Sequence, residues 1–271
     1  MNATSIRGFS LVELLVSMVL LAVVTGSVTA VTLSAVRTAD RSRERARQEG
    51  MLREVAAVVE REVGDMAPAR DIGGFSAESV TYRAGRGSGY TCGIEGSMVV
   101  VRDADYRAWR LPDPVRDSLL VLLPADSVSG PMHWVTSPLL ATPTRGHCRD
   151  GSPGLRLALP PDLLARASVS DLPVRVFEWM RIRLYESGGA WWVGARSLRL
   201  GDVIQPIAGP LAVRGLSLGW LDGAANVTAP PDAQLLELRL VAAAPLAAVP
   251  GRGTATDTLR ATLALWNGGV P

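Results

Sequence analysis

The chain has 271 residues, of which 48% are apolar and 20% charged; it is long enough for one large folded domain or two small ones and too apolar for extended disorder. Its formal net charge of +2 lacks the strong basic excess of a typical nucleic-acid binder. There is no lysine, so arginine supplies every basic side chain except the histidines; we read this as the mark of a GC-rich genome, not of phosphate recognition.

The first informative stretch is N-terminal. Met1 to Gly8 is short and polar, and Phe9-Ser10-Leu11-Val12-Glu13-Leu14 leads into an apolar run. From Leu14 to Val36 no residue is charged. At ~1.5 Å per helical residue, about 23 residues span ~35 Å, enough for a bilayer core. A buried core helix is the plain alternative, but soluble helices seldom stay apolar on every face for so long. A secretory signal peptide is the other, with Ala22, Gly26, Ser27 and Ala30 as small residues near a cut. Glu13 is a carboxylate where a membrane helix begins, costly there and of no use to an ordinary signal peptide or stop-transfer helix.

Gly8-Phe9-Ser10-Leu11-Val12-Glu13-Leu14 closely resembles the cleavage and methylation motif of the type IV prepilins and type II secretion pseudopilins. The resemblance implies that a membrane-bound prepilin peptidase cuts after Gly8 and methylates the new amino terminus at Phe9. It also gives Glu13 a role, in which its carboxylate pairs with the charged amine of a neighbouring subunit's first residue. Two charges in a low-dielectric filament core are each costly alone, and pairing offsets much of that cost. Snorkelling of Glu13 to the lipid headgroups is the plainer reading and does not exclude the first. The run lacks the proline that kinks the first helix of many major pilins, and Gly26 is its one weak point.

The flanking charge points the other way. Arg37, Arg41, Arg43, Arg45 and Arg47 follow the run, whereas only Arg7 and the chain's amine precede it. A positive-inside count alone places the C-terminal part in the cytoplasm. The motif implies the opposite, an inner-membrane single-pass protein with its C-terminal domain outside the cytoplasm, and being the more specific signal it sets the expectation.

Beyond the membrane run the helix is expected to continue to Met66. Leu52, Val55, Ala56, Val59, Val63 and Met66 recur at spacings of three and four and make one apolar stripe, with Arg53, Glu54, Glu60, Arg61 and Glu62 largely off it. Pro68 and then Gly73-Gly74 end it. About two heptads are too few to favour a coiled coil.

From Ala67 onward, Pro and Gly punctuate short apolar runs, which predicts strands and turns. Expected strands are Val80–Arg83, Ser97–Arg102, Tyr106–Leu111, Leu119–Leu123, Leu155–Leu159, Val174–Tyr185, Ala190–Ser197, Val213–Leu221, Leu235–Val241 and Thr258–Trp266. Gly188-Gly189 predicts a hairpin between Arg175–Tyr185 and Trp191-Trp192-Val193. A second hairpin is expected from Leu211 through Asp222-Gly223 to Leu235–Leu240.

The resemblance together with the helix and strand pattern implies an α+β, pilin-like fold class, with a leader expected over 1–8, a transmembrane and filament-core helix over 9–36, its amphipathic continuation over 37–66, and an antiparallel β-rich domain over 67–271. The aromatic-tipped hairpin, then Gln205-Pro206-Ile207-Ala208-Gly209-Pro210-Leu211, then Gly215-Leu216-Ser217-Leu218-Gly219-Trp220, is similar to the larger minor pilins of the W type and the J-type pseudopilins. A domain of this size also suits a minor subunit better than one repeated thousands of times.

Two cysteines, Cys92 and Cys148, lie far apart. In a cytosolic protein they would be buried thiols; past a membrane segment, in an oxidising compartment, a single disulfide is expected. A zinc site would need them with His133 and His147, and no pair has the usual close spacing. No catalytic set appears. Gly85-Arg86-Gly87-Ser88-Gly89 resembles a phosphate loop only on the surface, lacks the lysine, and is read as a flexible turn. Asp103 and Asp105 alternate as in a calcium loop without its glycine or terminal glutamate, and are read as solvated charges on a hairpin.

The expected role is structural and non-enzymatic, with no metal or cofactor: a minor pilin or pseudopilin that primes, caps or decorates a type IV pilus or type II secretion pseudopilus. The implied partners are the prepilin peptidase, other pilin subunits, the inner-membrane assembly platform and membrane lipid. The alternative is a binding module at a filament tip, contacting a surface or nucleic acid.

Overall fold

The computed structural model describes residues 10–64, 66–124, 131–166, 171–201, 203–243 and 257–265. The chain divides into two units, Met1–Gly50 and Met51–Pro271. One helix, α1 (Leu11–Val63), runs through the division.

In the first unit α1 is exposed along its apolar length, and the stretch is long and apolar enough to cross a membrane. It passes through Gly26 without a break. Most hydroxyls in this stretch are satisfied within the helix. Ser17 Oγ donates to the Glu13 carbonyl at 2.8 Å, Thr25 Oγ1 to Leu21 at 2.7 Å, Ser27 Oγ to Val23 at 2.8 Å and Thr29 Oγ1 to Thr25 at 2.8 Å. In lipid that bonding removes most of the cost of carrying them. The arginines that follow are exposed and pair loosely, as in Arg43–Asp40 at 3.6 Å, so they add little stability.

The second unit is an antiparallel sheet with the C-terminal part of α1 on one face. A short helix α2 (Pro68–Asp71) follows α1 and leads into β1 (Ile72–Ser76), β2 (Ser79–Glu95), β3 (Met98–Arg102) and β4 (Arg107–Ala108). Next come β5 (Asp117–Pro124), β6 (Met132–Pro138), β7 (Thr144–His147), β8 (Pro153–Ala158) and helix α3 (Pro161–Arg166). The chain then forms β9 (Pro173–Ser187), β10 (Ala190–Ser197), β11 (Gln205–Leu221), β12 (Leu235–Ala242) and β13 (Thr258–Ala264). The main order is β13-β12-β11-β10-β9-β2-β3-β8-β7, with β1 and β4 on β2 and β6 on β5.

The sheet forks at β9. One edge of β9 pairs with β2 from Arg183↔Ser79 to Pro173↔Tyr90. Its other edge pairs with β10 down to Met180↔Ser197, and then with β5 from Glu178↔Asp117 to Val174↔Val121. Two apolar cores lie along the buried face of β9. Ile182 and Leu184 belong to the larger one and Val174 and Val176 to the smaller, with Glu178 between them.

The stripe read from the sequence is the part of α1 and its continuation that enters the larger core. Leu52, Val55, Ala56, Val59, Val63 and Met66 are all buried there, against Val80, Tyr82, Ile182, Leu216, Leu238 and others. Leu52→Ala should therefore lower unfolding stability by about 2–5 kcal/mol, whereas Glu60→Ala, on the exposed side, should change it by less than about 0.5 kcal/mol. Denaturant melts of both variants check this; equal effects would mean that the helix does not pack on the sheet through this face.

Several expectations change. The helix stops at Val63, three residues short of Met66, and Gly73-Gly74 lies in β1 instead of ending the helix. Only Arg107–Ala108 of the expected strand Tyr106–Leu111 pairs. The strands β1, β6 and β7 were not anticipated; they are short or little buried and carry weak alternation. Gly85 to Gly89 is not a turn but the middle of β2. A Cβ on Gly87 would stand 2.6 Å from the Tyr106 hydroxyl and 2.9 Å from Ala108 Cβ, and one on Gly89 would stand 2.7 Å from Val101 Cγ1. Those glycines serve close packing, not phosphate binding. Asp103 and Asp105 sit in a 3-10 turn, with Asp105 paired to Arg102 at 3.4 Å. The Gly188-Gly189 hairpin forms with both residues at positive φ, 62° and 75°, as a two-residue turn between right-twisted strands requires. The second hairpin, β11 with β12, also forms. Trp266, the end of the last expected strand, lies outside the described residues.

Candidate functional site

Gly8 and Phe9, the expected cleavage and methylation positions, lie outside the described residues. The description begins at Ser10, whose hydroxyl accepts the Glu13 backbone N–H at 3.2 Å. Ser10 is thus the N-cap of α1 and Glu13 its third helical residue, the spacing of a capping box. A carboxylate there is favoured by the positive end of the helix dipole. Immediately beyond it Leu14, Leu15, Val16, Met18 and Val19 are each at least half exposed. One exposed apolar helix with a single acid at its start is well suited to packing against copies of itself or in lipid, and offers no chemistry.

Cys92, near the end of β2, and Cys148, just after β7, form a disulfide with Cα atoms 5.2 Å apart. The bond fastens β2 to the β7–β8 connection beside Val100. It takes both thiols that a zinc site would need, and no cluster of three or more metal-ligating side chains exists among the described residues.

The fork in the sheet holds a polar network that sequence reading missed. Asp117 is fully buried and receives two bonds from Arg110, Nη1 at 2.6 Å and Nη2 at 2.8 Å. Arg110 Nη2 also reaches Glu178 Oε2 at 3.3 Å, and Arg86 Nε donates to the same oxygen at 3.0 Å. The register of β2 against β9 slips between Gly85 and Gly87, so Arg86 is a bulged residue beside Glu178. Arg86 lies 3.7 Å from Glu62 on α1, and Glu62 accepts the Tyr82 hydroxyl at 2.8 Å. Burial and then the Glu62 charge push the Tyr82 phenol well above its ordinary pKa, so it stays a donor. Burial pushes the Glu178 carboxyl up, but the Ser197 hydroxyl and the Arg86 and Arg110 guanidiniums outweigh it, so its pKa falls below the usual value. The one signal in the sequence was Glu178 itself, a carboxylate on the apolar face of β9 between Val176 and Met180. The two arginines that neutralise it come from segments distant in sequence.

Residues 4–29 match the family model described as the prokaryotic N-terminal methylation motif. No curated protein and no solved structure matches the chain. The match supports a subunit of the type IV pilin and pseudopilin family, and the long apolar helix followed by an antiparallel sheet is consistent with the pilin-like α+β fold.

Proposed function

We propose that this protein is a minor pilin or pseudopilin, a structural subunit that primes, caps or decorates a type IV pilus or a type II secretion pseudopilus. The observation that carries the reading is the methylation motif over residues 4–29, set at the head of an exposed apolar helix. In this reading prepilin peptidase cuts after Gly8 and methylates Phe9. Residues 9–36 first hold the chain in the inner membrane and then enter the filament core, residues 37–66 continue the helix, and the domain from 67 onward stays outside the cytoplasm. Glu13 pairs with the amino terminus of a neighbouring subunit, and the assembly platform extracts the subunit from lipid. The disulfide supports an oxidising compartment for the domain, against the orientation that the arginines after the membrane run favour by count alone. No enzymatic site is part of the proposal.

The test is the intact mass and N-terminal sequence of the protein recovered from its host's membranes. The expected chain starts at methylated Phe9. Replacing Gly8 with a bulky residue, as in Gly8→Leu, should leave the leader attached, because the side chain blocks approach to the scissile carbonyl. A chain starting at Met1 in the unaltered protein, or a processed Gly8→Leu variant, would overturn the proposed cut.

A further inference from the structure

Strand β9 gives Val174, Val176, Ile182 and Leu184 to the two cores, so its odd-numbered residues form the other face of the sheet. From the fork to the β9–β10 turn that row is Trp179, Arg181, Arg183 and Tyr185. Across one edge it meets Arg83, Thr81 and Ser79 of β2, and across the other Arg196, Gly194 and Trp192 of β10. Arg183 is exposed, and Trp179, Arg181, Tyr185, Trp192 and Arg196 are half-buried. The carboxylates of β9, Glu178 and Glu186, belong to the even-numbered row. The chain's net charge of +2 does not signal this face, because only the strand register gathers the cations here.

The cations of the row lack counterions. Arg181 stands directly opposite Arg196, with Arg183 next to it on this face, and among the described residues no ion pair engages any of the three. Like charges paired across a sheet are destabilising, and an anion held between them offsets the repulsion. Arg181 Nε donates to Thr81 Oγ1 at 2.9 Å, which fixes the guanidinium and leaves its terminal nitrogens for a phosphate. Arg83 is already engaged, over the Trp179 ring at 5.1 Å and bonded to Thr136 at 3.3 Å. The rings are seated on glycines of other strands. A Cβ added to Gly73 would stand 2.7 Å from Trp179 Cζ3, one on Gly209 2.8 Å from Trp192 Cε3, and one on Gly194 would collide with the Tyr185 ring. Glycine at these three places lets the rings lie close to the sheet while they stay partly open to solvent.

We propose that this face binds single-stranded nucleic acid, with phosphates on Arg181, Arg183 and Arg196 and bases stacked on Trp179, Tyr185 and Trp192. Charge and shape select that partner together. Unpaired guanidiniums fit anions, and the row from Trp179 to Tyr185 extends about 20 Å, which suits a linear polyanion better than a lone ion. The rings at its two ends fit a polymer that carries flat groups beside its charges, since stacking on aromatic side chains accepts any base. A duplex keeps its base faces inside its own stack, and an acidic peptide brings carboxylates without flat groups for the rings. The inference stands apart from the filament reading, since it uses neither the leader nor Glu13.

The test is fluorescence anisotropy of labelled dodecathymidylate titrated with the full chain in detergent micelles. The logarithm of the binding constant should fall with the logarithm of salt at a slope of about −2, roughly −0.7 for each of three phosphates. Arg183→Gln should make that slope shallower by about 0.7, whereas Trp192→Leu should lower affinity at least about fivefold with the slope unchanged. Arg183 is exposed, so its variant decides the matter even if Trp192→Leu unfolds early. Arg145→Gln, at an exposed position of β7, should change neither quantity. Absence of binding, or an equal loss in Arg145→Gln, would overturn the proposal. Equal affinity for an abasic strand of the same length would overturn it by removing the bases from recognition. Displacement of the strand by polyglutamate at equal charge concentration would overturn it in favour of an acidic protein partner.

Discussion

Glu13→Val should leave cleavage and methylation intact while lowering incorporation into filaments at least about tenfold, the result expected if one charge pair of more than 1.4 kcal/mol is lost. The substitution isolates the carboxylate because the cap does not depend on it. Ser10 bonds the backbone N–H of residue 13, which valine keeps, so the start of α1 is preserved. The same change removes a charge from the head of an apolar helix, where it is costly in lipid. Membrane retention of the monomer should therefore rise as filament content falls. Those opposite movements separate an assembly role from general damage, which would lower both. Glu13→Gln divides charge from hydrogen bonding: a filament defect close to that of valine assigns the effect to charge. Normal filament content in Glu13→Val would remove the pairing role from this residue.

Reduction of the Cys92–Cys148 bond should lower the stability of the domain by an amount comparable to the loss of a buried core side chain. The cysteines are 56 positions apart, and a closed loop of that length contributes about 4 kcal/mol in the chain-entropy account. For a domain of this size the expected fall in melting temperature is roughly 8–16 °C. Cys92→Ser with Cys148→Ser should reproduce the fall without reductant, and intact mass under denaturing, non-reducing conditions should show the two thiol hydrogens missing from the unaltered chain. The bond tethers β2 to the β7–β8 connection at the smaller end of the sheet. Loss should therefore be felt first there, as faster amide exchange in β3, β7 and β8 than in the strands packed on α1. A melting temperature unmoved by reductant would show that the bond does not constrain the unfolded chain.

These two predictions concern features of different kinds, and the difference explains what could be read early. Local, repeating signals were legible in the amino-acid sequence alone. The motif around Gly8, Phe9 and Glu13 is a contiguous pattern. The uncharged run from Leu14 to Val36 needs only length and composition. The stripe from Leu52 to Met66 follows from helical period, and the Gly188-Gly189 hairpin from the positive φ its turn demands. The cysteine pair was legible for a simpler reason: with two cysteines there is one possible bond.

Tertiary structure alone decided the rest, because the deciding contacts join residues remote along the chain. Arg86 and Glu178 are 92 positions apart, and Arg110 and Glu178 are 68 apart. No period or spacing connects them. A carboxylate on the apolar face of β9 predicts a partner but cannot say which of 28 arginines supplies it. The glycines from Gly85 to Gly89 looked like a turn because glycine marks turns as well as close approaches, and only the seating of Tyr106 and Ala108 against β2 tells the two apart. The strands β1, β6 and β7 are not legible because short, exposed strands carry little hydrophobic alternation, although each pairs with its neighbour in the chain. Sequence alone determined the methylation motif, the long apolar helix and its amphipathic stripe, since those features are local; only the folded sheet decided where it forks, and hence where its buried charges lie.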